Sequence, residues 1–306
     1  MAARLPAADC TGPGFVVAAG RRCKGGFRAV AWPLPFFLTT VGAAQAGVPR
    51  ILCGVQGGRL AAGKRGGGPL WGRAMIPVGD NVARRRAAPA NTALIAINLL
   101  VFCLVTVAER RGFALARDLA LVPRRLSVVG WATLAAAAGS GGVWPPLTLV
   151  SSLFVHADAL HVAGNMLYLL IFGPAVEQRF GVVRYGVFYL LAGVVSGLAT
   201  VATAPFSRVA VVGASGAIAG VLGSYFVFYP RGRIRTWVPP FYFLEVPALF
   251  YLLLWFALQL LLAAAAGGEA LASGGVAWWA HVSGFLFGVG AGPWLAGVGS
   301  RRRRRR

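Results

Sequence analysis

The sequence has little charge for its length, and acidic groups are especially scarce. Only 12% of the 306 residues are charged, with 30 Lys or Arg against 8 Asp or Glu. Soluble domains carry about 25% charged residues, so an ordinary soluble globular protein is excluded. Instead, 58% of the residues are hydrophobic and the mean hydropathy is +0.70. Several apolar stretches from residue 91 onward reach the roughly 17–25 residues that cross a bilayer as a helix, which predicts a polytopic membrane protein.

Histidine and cysteine are also rare, which bears on metal and disulfide chemistry. The chain has three histidines and four cysteines, with no CxxC pair and no Cys/His spacing of a metal site. His156 and His161 are five residues apart, roughly 140° on a helical wheel, so they are expected to point different ways. No carboxylate stands at HExxH spacing. We therefore predict no metal and no cofactor, and we expect Cys103, inside an apolar span, to be a buried thiol.

Basic residues produce a net charge of +22. They cluster in Arg84–Arg86, in Arg301–Arg306 and at positions 231, 233 and 235, and each cluster flanks an apolar span. Nucleic-acid binding would need a basic face on a folded soluble domain, so we predict no nucleic-acid partner. Anionic lipid headgroups are the nearer partner for such clusters.

Residues 1–74 differ in composition from the rest of the chain. They are rich in Gly, Arg, Ala and Pro, contain one acidic residue, Asp9, and have no serine, which counts against a transit peptide. We expect this segment to be either a disordered tail or the product of a misplaced start site, with Met75-Ile76-Pro77 as the true beginning. The intact mass of the natively expressed protein tests this, because a mass that includes residues 1–74 contradicts the misplaced start.

Hydropathy and segment length predict an all-α membrane bundle of six transmembrane helices. Fourteen basic residues flank the spans on one side and six on the other, which by the positive-inside rule predicts that both termini are cytoplasmic. The expected domain order is a cytoplasmic basic segment over 75–90, the six-helix domain over 91–296 and a basic cytoplasmic tail over 297–306. The six spans are expected at about 91–108, 159–176, 186–204, 212–229, 246–266 and 277–296.

Four polar side chains recur near the same end of three of these spans. With the N-terminus inside, spans two, four and six all run from outside to inside. His161 and Asn165 fall in the first two turns of span two, Ser215 about one turn into span four, and His281 about one turn into span six. At about 1.5 Å per residue, all four are expected a few ångströms below the outer surface. Polar groups at such a depth are costly and often mark function.

Ser215 and His281 together predict nucleophilic catalysis. A serine hydroxyl needs an adjacent base, and no acidic residue is placed to orient His281, so we predict a catalytic dyad. The oxyanion formed on attack needs hydrogen-bond donors, for which the candidates are Asn165, His161 and the Ser215 backbone N–H. Small residues would let the helices approach closely enough for this contact: Gly213, Gly216, Gly220, Gly284 and Gly288.

Each of these residues also has an ordinary structural interpretation. Taken singly, a Gly-x-Ser-Gly sequence in an apolar helix is more often a packing feature, Asn165 an interhelical hydrogen-bonding group, and His281 a histidine bonded to a carbonyl. Their shared depth on three helices that run in the same direction favours catalysis.

This ordered set of motifs resembles the rhomboid intramembrane serine proteases, over roughly Met75 to Leu295. Each motif is weak alone, and the ordered set is specific. The resemblance lies in His156-(x)4-His161-(x)3-Asn165, Phe172-Gly173, Glu177-(x)3-Gly181, Gly213-Ala214-Ser215-Gly216-Ala217, Pro247-Ala248…Trp255…Gln259 and Ala280-His281-(x)2-Gly284-(x)3-Gly288.

The resemblance implies a nucleophilic Ser215, a general base in His281, and an oxyanion site that includes His161 and Asn165. It implies that loop Gly112–Pro146 frames the site, and that the substrates are single-pass transmembrane proteins cut near the outer face. Two departures stand out. Leu147-Thr148 replaces a Trp-Arg pair of the first loop, and Ala219 replaces an aromatic residue that stacks on the histidine in some members, so another group must hold His281.

Two other functions fit parts of this pattern. A catalytically silent rhomboid-like protein that binds transmembrane clients is the main alternative, although such relatives typically lack the serine or the histidine. A transporter or proton channel would need acidic residues along a path, and only Glu177 and Glu245 approach the membrane. The Ala, Gly and Arg richness favours a bacterial plasma membrane over a eukaryotic organelle.

Overall fold

A computed structural model describes residues 75–82, 87–127, 143–238, 242–266 and 277–297. The described chain is mostly helical, and a helix lies at each of the six predicted spans. Those helices are α1 (Pro89–Arg110), α5 (Ala159–Phe180), α6 (Val182–Thr203), α7 (Ser215–Phe228), α8 (Ala248–Ala266) and α9 (Trp278–Leu295). In the described residues α1, α5, α6 and α8 are long and apolar enough to cross a membrane, so the chain is a multi-pass membrane protein.

The loop after α1 contains short helical pieces. These are α2 (Leu115–Leu119), α3 (Pro123–Ser127), a 3-10 turn (Pro145–Leu147) and α4 (Thr148–Ser151). The expected N-terminal tail and the arginine run fall outside the described residues. Cys103 corrects one expectation, because its thiol is exposed on α1 rather than buried. Most of α1 faces outward from the bundle, which is where a membrane helix meets lipid.

Glycines bring α7 and α9 into direct backbone contact. A Cβ on Gly284 would overlap the Gly216 carbonyl, and a Cβ on Gly288 would overlap that of Gly220. Ser224 continues the series by donating a hydrogen bond to the Gly288 carbonyl, 3.0 Å away. Because both sets of numbers rise together, the two helices are parallel. The small residues therefore let the backbones approach as they do in tightly packed membrane helices.

Helices α6 and α8 run against this pair, and α8 does so because Gln259 and Trp255 lie beside His281 and Phe285, respectively. Ser196 of α6 lies beside Gly216, and Ala192, one turn earlier, lies beside Gly220, so α6 is antiparallel to α7. Helix α5 is parallel to α7, since His161 lies beside Gly213 and the Tyr229 hydroxyl donates to the Ala175 carbonyl at 2.9 Å. The N-terminal ends of α5, α7 and α9 therefore meet at one end of the bundle.

A three-stranded sheet at the other end corrects the all-α prediction. It is antiparallel in the order β1 (Ile76–Asp80), β2 (Arg233–Val238) and β3 (Tyr242–Pro247). Its register pairs Asp80 with Ile234 and Arg235 with Glu245. Alternate residues of β2 are buried and exposed, which is the pattern of a strand with one face on the core. Residues 75–90, predicted as a cytoplasmic basic segment, thus begin with a strand.

A buried polar cluster ties α1 to α5 and α6 at this same end. The Glu177 carboxylate accepts the backbone N–H groups of Ala90, at 3.1 Å, and Asn91, at 2.7 Å. The Asn91 side chain donates to the Leu169 carbonyl at 3.0 Å and accepts from the Tyr185 hydroxyl at 2.8 Å. A carboxylate at a helix N-terminus satisfies donors that the helix itself leaves free, so Glu177 fixes where α1 begins.

Candidate active site

Ser215 is the first residue of α7, and the chain before it is held by backbone hydrogen bonds. Leu121 and Val211 exchange two N–H···O bonds of 3.0 and 2.8 Å, and the Gly213 N–H donates to the Ser152 carbonyl at 2.9 Å. The sequence predicted Ser215 about one turn inside its span, but the helix begins three residues later than expected. The serine therefore sits at the helix N-terminus, where backbone N–H groups lack helical partners.

The Ser215 hydroxyl and the His281 ring are in hydrogen-bond contact. Ser215 Oγ lies 2.8 Å from His281 Nε2, and the His281 side chain is only 2% exposed. The parallel packing of α7 on α9 produces this contact, because Gly216 and Gly284 leave no side chain between the two backbones. The distance is within the reach required between a nucleophile and a general base.

The second nitrogen of the His281 ring faces a residue to which the sequence gave no role. His281 Nδ1 lies 2.8 Å from Gln259 Oε1, which comes from α8. The rings of Trp255 and Trp278 lie 6.1 and 6.0 Å from the histidine ring. These three side chains are the groups that hold His281 where Ala219 offers no aromatic ring. Gln259 could have been suspected, since it is the one amide in an otherwise apolar helix.

Gly213 places His161 and Asn165 beside the serine. Its φ is +119°, which favours glycine over other residues. A Cβ there would lie 2.8 Å from the His161 ring and 3.8 Å from Asn165 Nδ2. Asn165 Nδ2 also donates to the His161 carbonyl at 3.1 Å, which uses one of its two hydrogens. Gly213 was predicted to pack helices, but it lies before α7 and makes room for these two side chains instead.

His156 lies beside His161, contrary to the expectation from the helical wheel. The two rings are 5.1 Å apart and edge-on. The wheel does not apply because His156 precedes α5, whose N-cap is Asp158. The Ala214 N–H points toward His156 Nε2 at 3.5 Å. Burial and the neighbouring His161 lower the pKa of His156 to about 3, so this ring is neutral at neutral pH.

A small cavity of about 40 Å³ adjoins the serine. A water needs roughly 10–15 Å³ of such space and two or more polar partners, so the cavity is large enough to hold one. Its wall contains Ser215 and His281, together with three hydroxyl groups, two from α6 and one from the segment between α4 and α5. Lining residues include Ser215, His281, His161, Ser152, Ser196 and Thr200.

Comparison with known proteins places this site within a recognised domain. The family profile described as "Rhomboid domain" matches residues 142–297, which is half of the chain and contains Ser215, His281 and the side chains that surround them. "RHOMBOID-like protein 1" of Arabidopsis thaliana is 32% identical over 147 residues, 44% of this chain and 36% of its own length. "Rhomboid protein 1, mitochondrial" of Saccharomyces cerevisiae is 29% identical over 164 residues, 52% of this chain and 45% of its own.

A bacterial relative matches a shorter stretch. "Rhomboid protease GluP" of Bacillus subtilis is 37% identical over 76 residues, 25% of this chain and 14% of its own length. The alignments thus span less than half of the length of these relatives. The match to the domain profile and the repeated similarity to rhomboid proteins show that the chain belongs to the rhomboid family.

Proposed function

We propose that the chain is an intramembrane serine endopeptidase that cleaves single-pass transmembrane proteins with a Ser215–His281 dyad. The observation that carries this proposal is the 2.8 Å contact between Ser215 Oγ and His281 Nε2. The contact lies at one end of a membrane bundle, among side chains that have little access to bulk solvent. Family membership supports the same reaction class.

In the first half of the reaction, Ser215 Oγ attacks the scissile carbonyl carbon while His281 Nε2 takes its proton. The new C–O bond gives a tetrahedral intermediate whose oxygen is negatively charged. His281 then returns the proton to the leaving amine as the C–N bond breaks, which leaves an acyl-enzyme. Water, activated by the same histidine, hydrolyses the ester and regenerates Ser215. The cavity beside the serine has room for that water.

The negative oxygen needs donors that are already in position. The Ser215 backbone N–H is one, because no earlier turn of helix uses it. The second hydrogen of the Asn165 amide is another, since the first goes to the His161 carbonyl. The His161 ring is the third, since the edge formed by its Cε1 and Nε2 atoms faces Gly213. All three groups adjoin Gly213.

The proposal includes a membrane arrangement. All six apolar helices cross the bilayer, with both termini in the cytoplasm, so the sheet lies at the cytoplasmic end and the dyad near the outer face. The basic segments then meet anionic lipid headgroups. Cleavage falls near the outer end of the substrate helix. A bacterial plasma membrane is the proposed location.

The test is cleavage of a single-pass transmembrane substrate by purified protein in detergent. Wild type is expected to cut, and Ser215→Ala and His281→Ala to lose cleavage by at least about 10⁴-fold. Ser224→Ala is the matched control, since it removes a hydroxyl from the same helix at a packing position and should leave cleavage intact. Failure of the wild type to cleave and of Ser215 to react with a fluorophosphonate would instead favour the client-binding alternative.

A further inference from the structure

A buried glutamine contacts the ring nitrogen of His281 that does not face Ser215. Gln259 Oε1 lies 2.8 Å from that nitrogen, and both side chains are 2% exposed. We propose that Gln259 is the positioning residue that fixes the tautomer and orientation of His281, leaving Nε2 free to accept the proton of Ser215. The inference rests on the proposed function, and it adds an uncharged third member behind the dyad.

In a neutral imidazole, one ring nitrogen is a hydrogen-bond donor and the other is an acceptor. An amide oxygen only accepts. If Gln259 Oε1 faces Nδ1, the ring proton is on Nδ1, and the Nε2 lone pair faces Ser215 Oγ at 2.8 Å. The opposite tautomer would put a proton on Nε2, which would then donate to the hydroxyl and could not remove its proton. Only one tautomer is therefore a base toward the serine.

The membrane setting explains why an amide takes this position. Soluble serine hydrolases use a buried carboxylate to orient the histidine. A carboxylate inside a bilayer-spanning bundle is expensive to bury, whereas an amide offers an acceptor without a charge. Two carboxylates of the described bundle form hydrogen bonds elsewhere: Glu177 caps α1, and Asp158 accepts the His161 N–H at 2.8 Å.

Helix α8 is built to present Gln259 to the histidine. The buried residues of this helix follow a spacing of three or four, which places them on one face. Trp255 stands one turn before Gln259 on that face, and its ring lies 6.1 Å from the His281 ring. Helix α8 thus supplies both the acceptor and an aromatic wall. The buried face consists of Ala248, Tyr251, Leu252, Trp255, Gln259 and Ala263.

The first arm of the test compares three variants in the detergent cleavage assay. Gln259→Met keeps an unbranched side chain of similar length and removes the acceptor. It should lower kcat about 10- to 100-fold with little change in KM, as expected for an oriented catalytic group that loses its support. Gln259→Glu keeps an acceptor oxygen and should be at least about tenfold faster than Gln259→Met. The control is Leu261→Met on the exposed face of α8, which should stay within about twofold of wild type.

The second arm measures the tautomer directly and does not depend on cleavage. The chain has three histidines, so ¹⁵N-histidine labelling gives three imidazole rings, and the His281→Ala variant identifies the one of interest. Wild type and Gln259→Glu should show His281 protonated on Nδ1. Gln259→Met should shift population toward the Nε2-protonated form, while His156 and His161 keep their signals and report that the variant is folded. If Gln259→Met does not fold, Gln259→Asn, which withdraws the oxygen by one methylene, takes its place.

The two arms separate the inference from the function on which it rests. An inactive wild type with the expected His281 tautomer contradicts the protease proposal and leaves the Gln259 assignment standing. An active wild type overturns the assignment in either of two cases. In the first, Gln259→Met matches wild type in kcat and in the His281 signals. In the second, Gln259→Met lowers kcat while the His281 signals stay those of the Nδ1-protonated form, which shows that Gln259 does not set the tautomer.

Discussion

Polar side chains gather at both ends of the helix bundle. At one end Ser215, His281 and His161 lie together; at the other, Glu177 and Asn91 join α1 to its neighbours. Both clusters are buried and both are built from residue types that can hydrogen-bond. They differ in whether any buried polar atom is left without a hydrogen-bond partner. Around Glu177 both carboxylate oxygens have partners, as do the oxygen and the nitrogen of the Asn91 amide. In the dyad cluster, His161 Nδ1 has none among the described residues.

The difference separates a structural polar cluster from a reactive one. A fully satisfied buried cluster stabilises the fold and fixes one geometry. A cluster with spare donors beside a nucleophile costs stability, and it persists where the donors serve a reaction. The same amide side chain can therefore serve either purpose, depending on its neighbours.

Two buried asparagines, one in each cluster, test whether the clusters differ in function. Asn165→Ala should lower kcat about 10²- to 10³-fold, because it removes an oxyanion donor, and should barely change the melting temperature. Asn91→Ala should lower the free energy of unfolding by about 2 kcal/mol, because it removes two hydrogen bonds and leaves the Tyr185 hydroxyl unpaired. Its kcat should match wild type at a temperature where it is folded.

Cleavage kinetics and thermal unfolding in the same detergent check both variants. Equal losses of activity and stability in the two variants would show that the clusters do not divide structure from chemistry. A stable Asn165→Ala protein with unchanged kcat would remove Asn165 from the oxyanion site while leaving the dyad in place.

The second prediction concerns the stability of the backbone contact between α7 and α9, which brings Ser215 and His281 together. A Cβ on Gly288 would overlap the Gly220 carbonyl, whereas nothing lies within 4 Å of a Cβ on Gly290. Gly288→Ala should therefore destabilise the protein by about 3 kcal/mol, and Gly290→Ala should be neutral or stabilising by up to about 1 kcal/mol because alanine favours helix. Thermal unfolding measures both. Similar melting temperatures for the two would mean that α7 and α9 are not packed through their glycines.

The sequence predicted where the helices lie and that Ser215 and His281 share one depth, but not what surrounds these two residues. Hydropathy finds membrane helices because a bilayer forces backbone groups into continuous helix. It missed the start of α7 at Ser215, since a glycine at positive φ and the preceding extended segment are as apolar as the helix itself. The alternating residues of β2 are visible in the sequence, but no secondary structure is predicted there, between the fourth and fifth spans.

The rest depended on helix rotation, which a single sequence does not determine. The shared depth of Ser215 and His281 follows from counting residues along parallel helices. Gln259 contacts His281 because α8 turns one particular face toward the bundle. The spacing of apolar residues in α8 does not identify that face, since the helix is apolar on all sides, unless Gln259 is assumed to be buried. The proximity of His156 and His161 likewise followed from a loop, which no helical wheel represents.

A smaller effect should come from Glu177→Gln at the structural end. The carboxylate accepts two backbone N–H groups, at 3.1 and 2.7 Å, and an amide has one acceptor oxygen and turns an NH₂ toward the other donor. We expect a loss of about 1–2 kcal/mol in the free energy of unfolding and an unchanged kcat. Chemical or thermal unfolding beside cleavage kinetics measures it. A fall in kcat without a fall in stability would mean that this cluster communicates with the site.

The smallest effect should come from the exposed ion pair of the sheet. Arg233 and Glu245 are 3.9 Å apart and their side chains are 58% and 49% exposed. Such pairs contribute about 0–1 kcal/mol because solvent screens them and their long side chains lose freedom. Arg233→Ala, Glu245→Ala and the double variant should each change the unfolding free energy by less than about 0.5 kcal/mol, with no coupling beyond error. A coupling as large as the Glu177→Gln effect would show that the sheet end gains stability from its exposed charges as well as from its buried cluster.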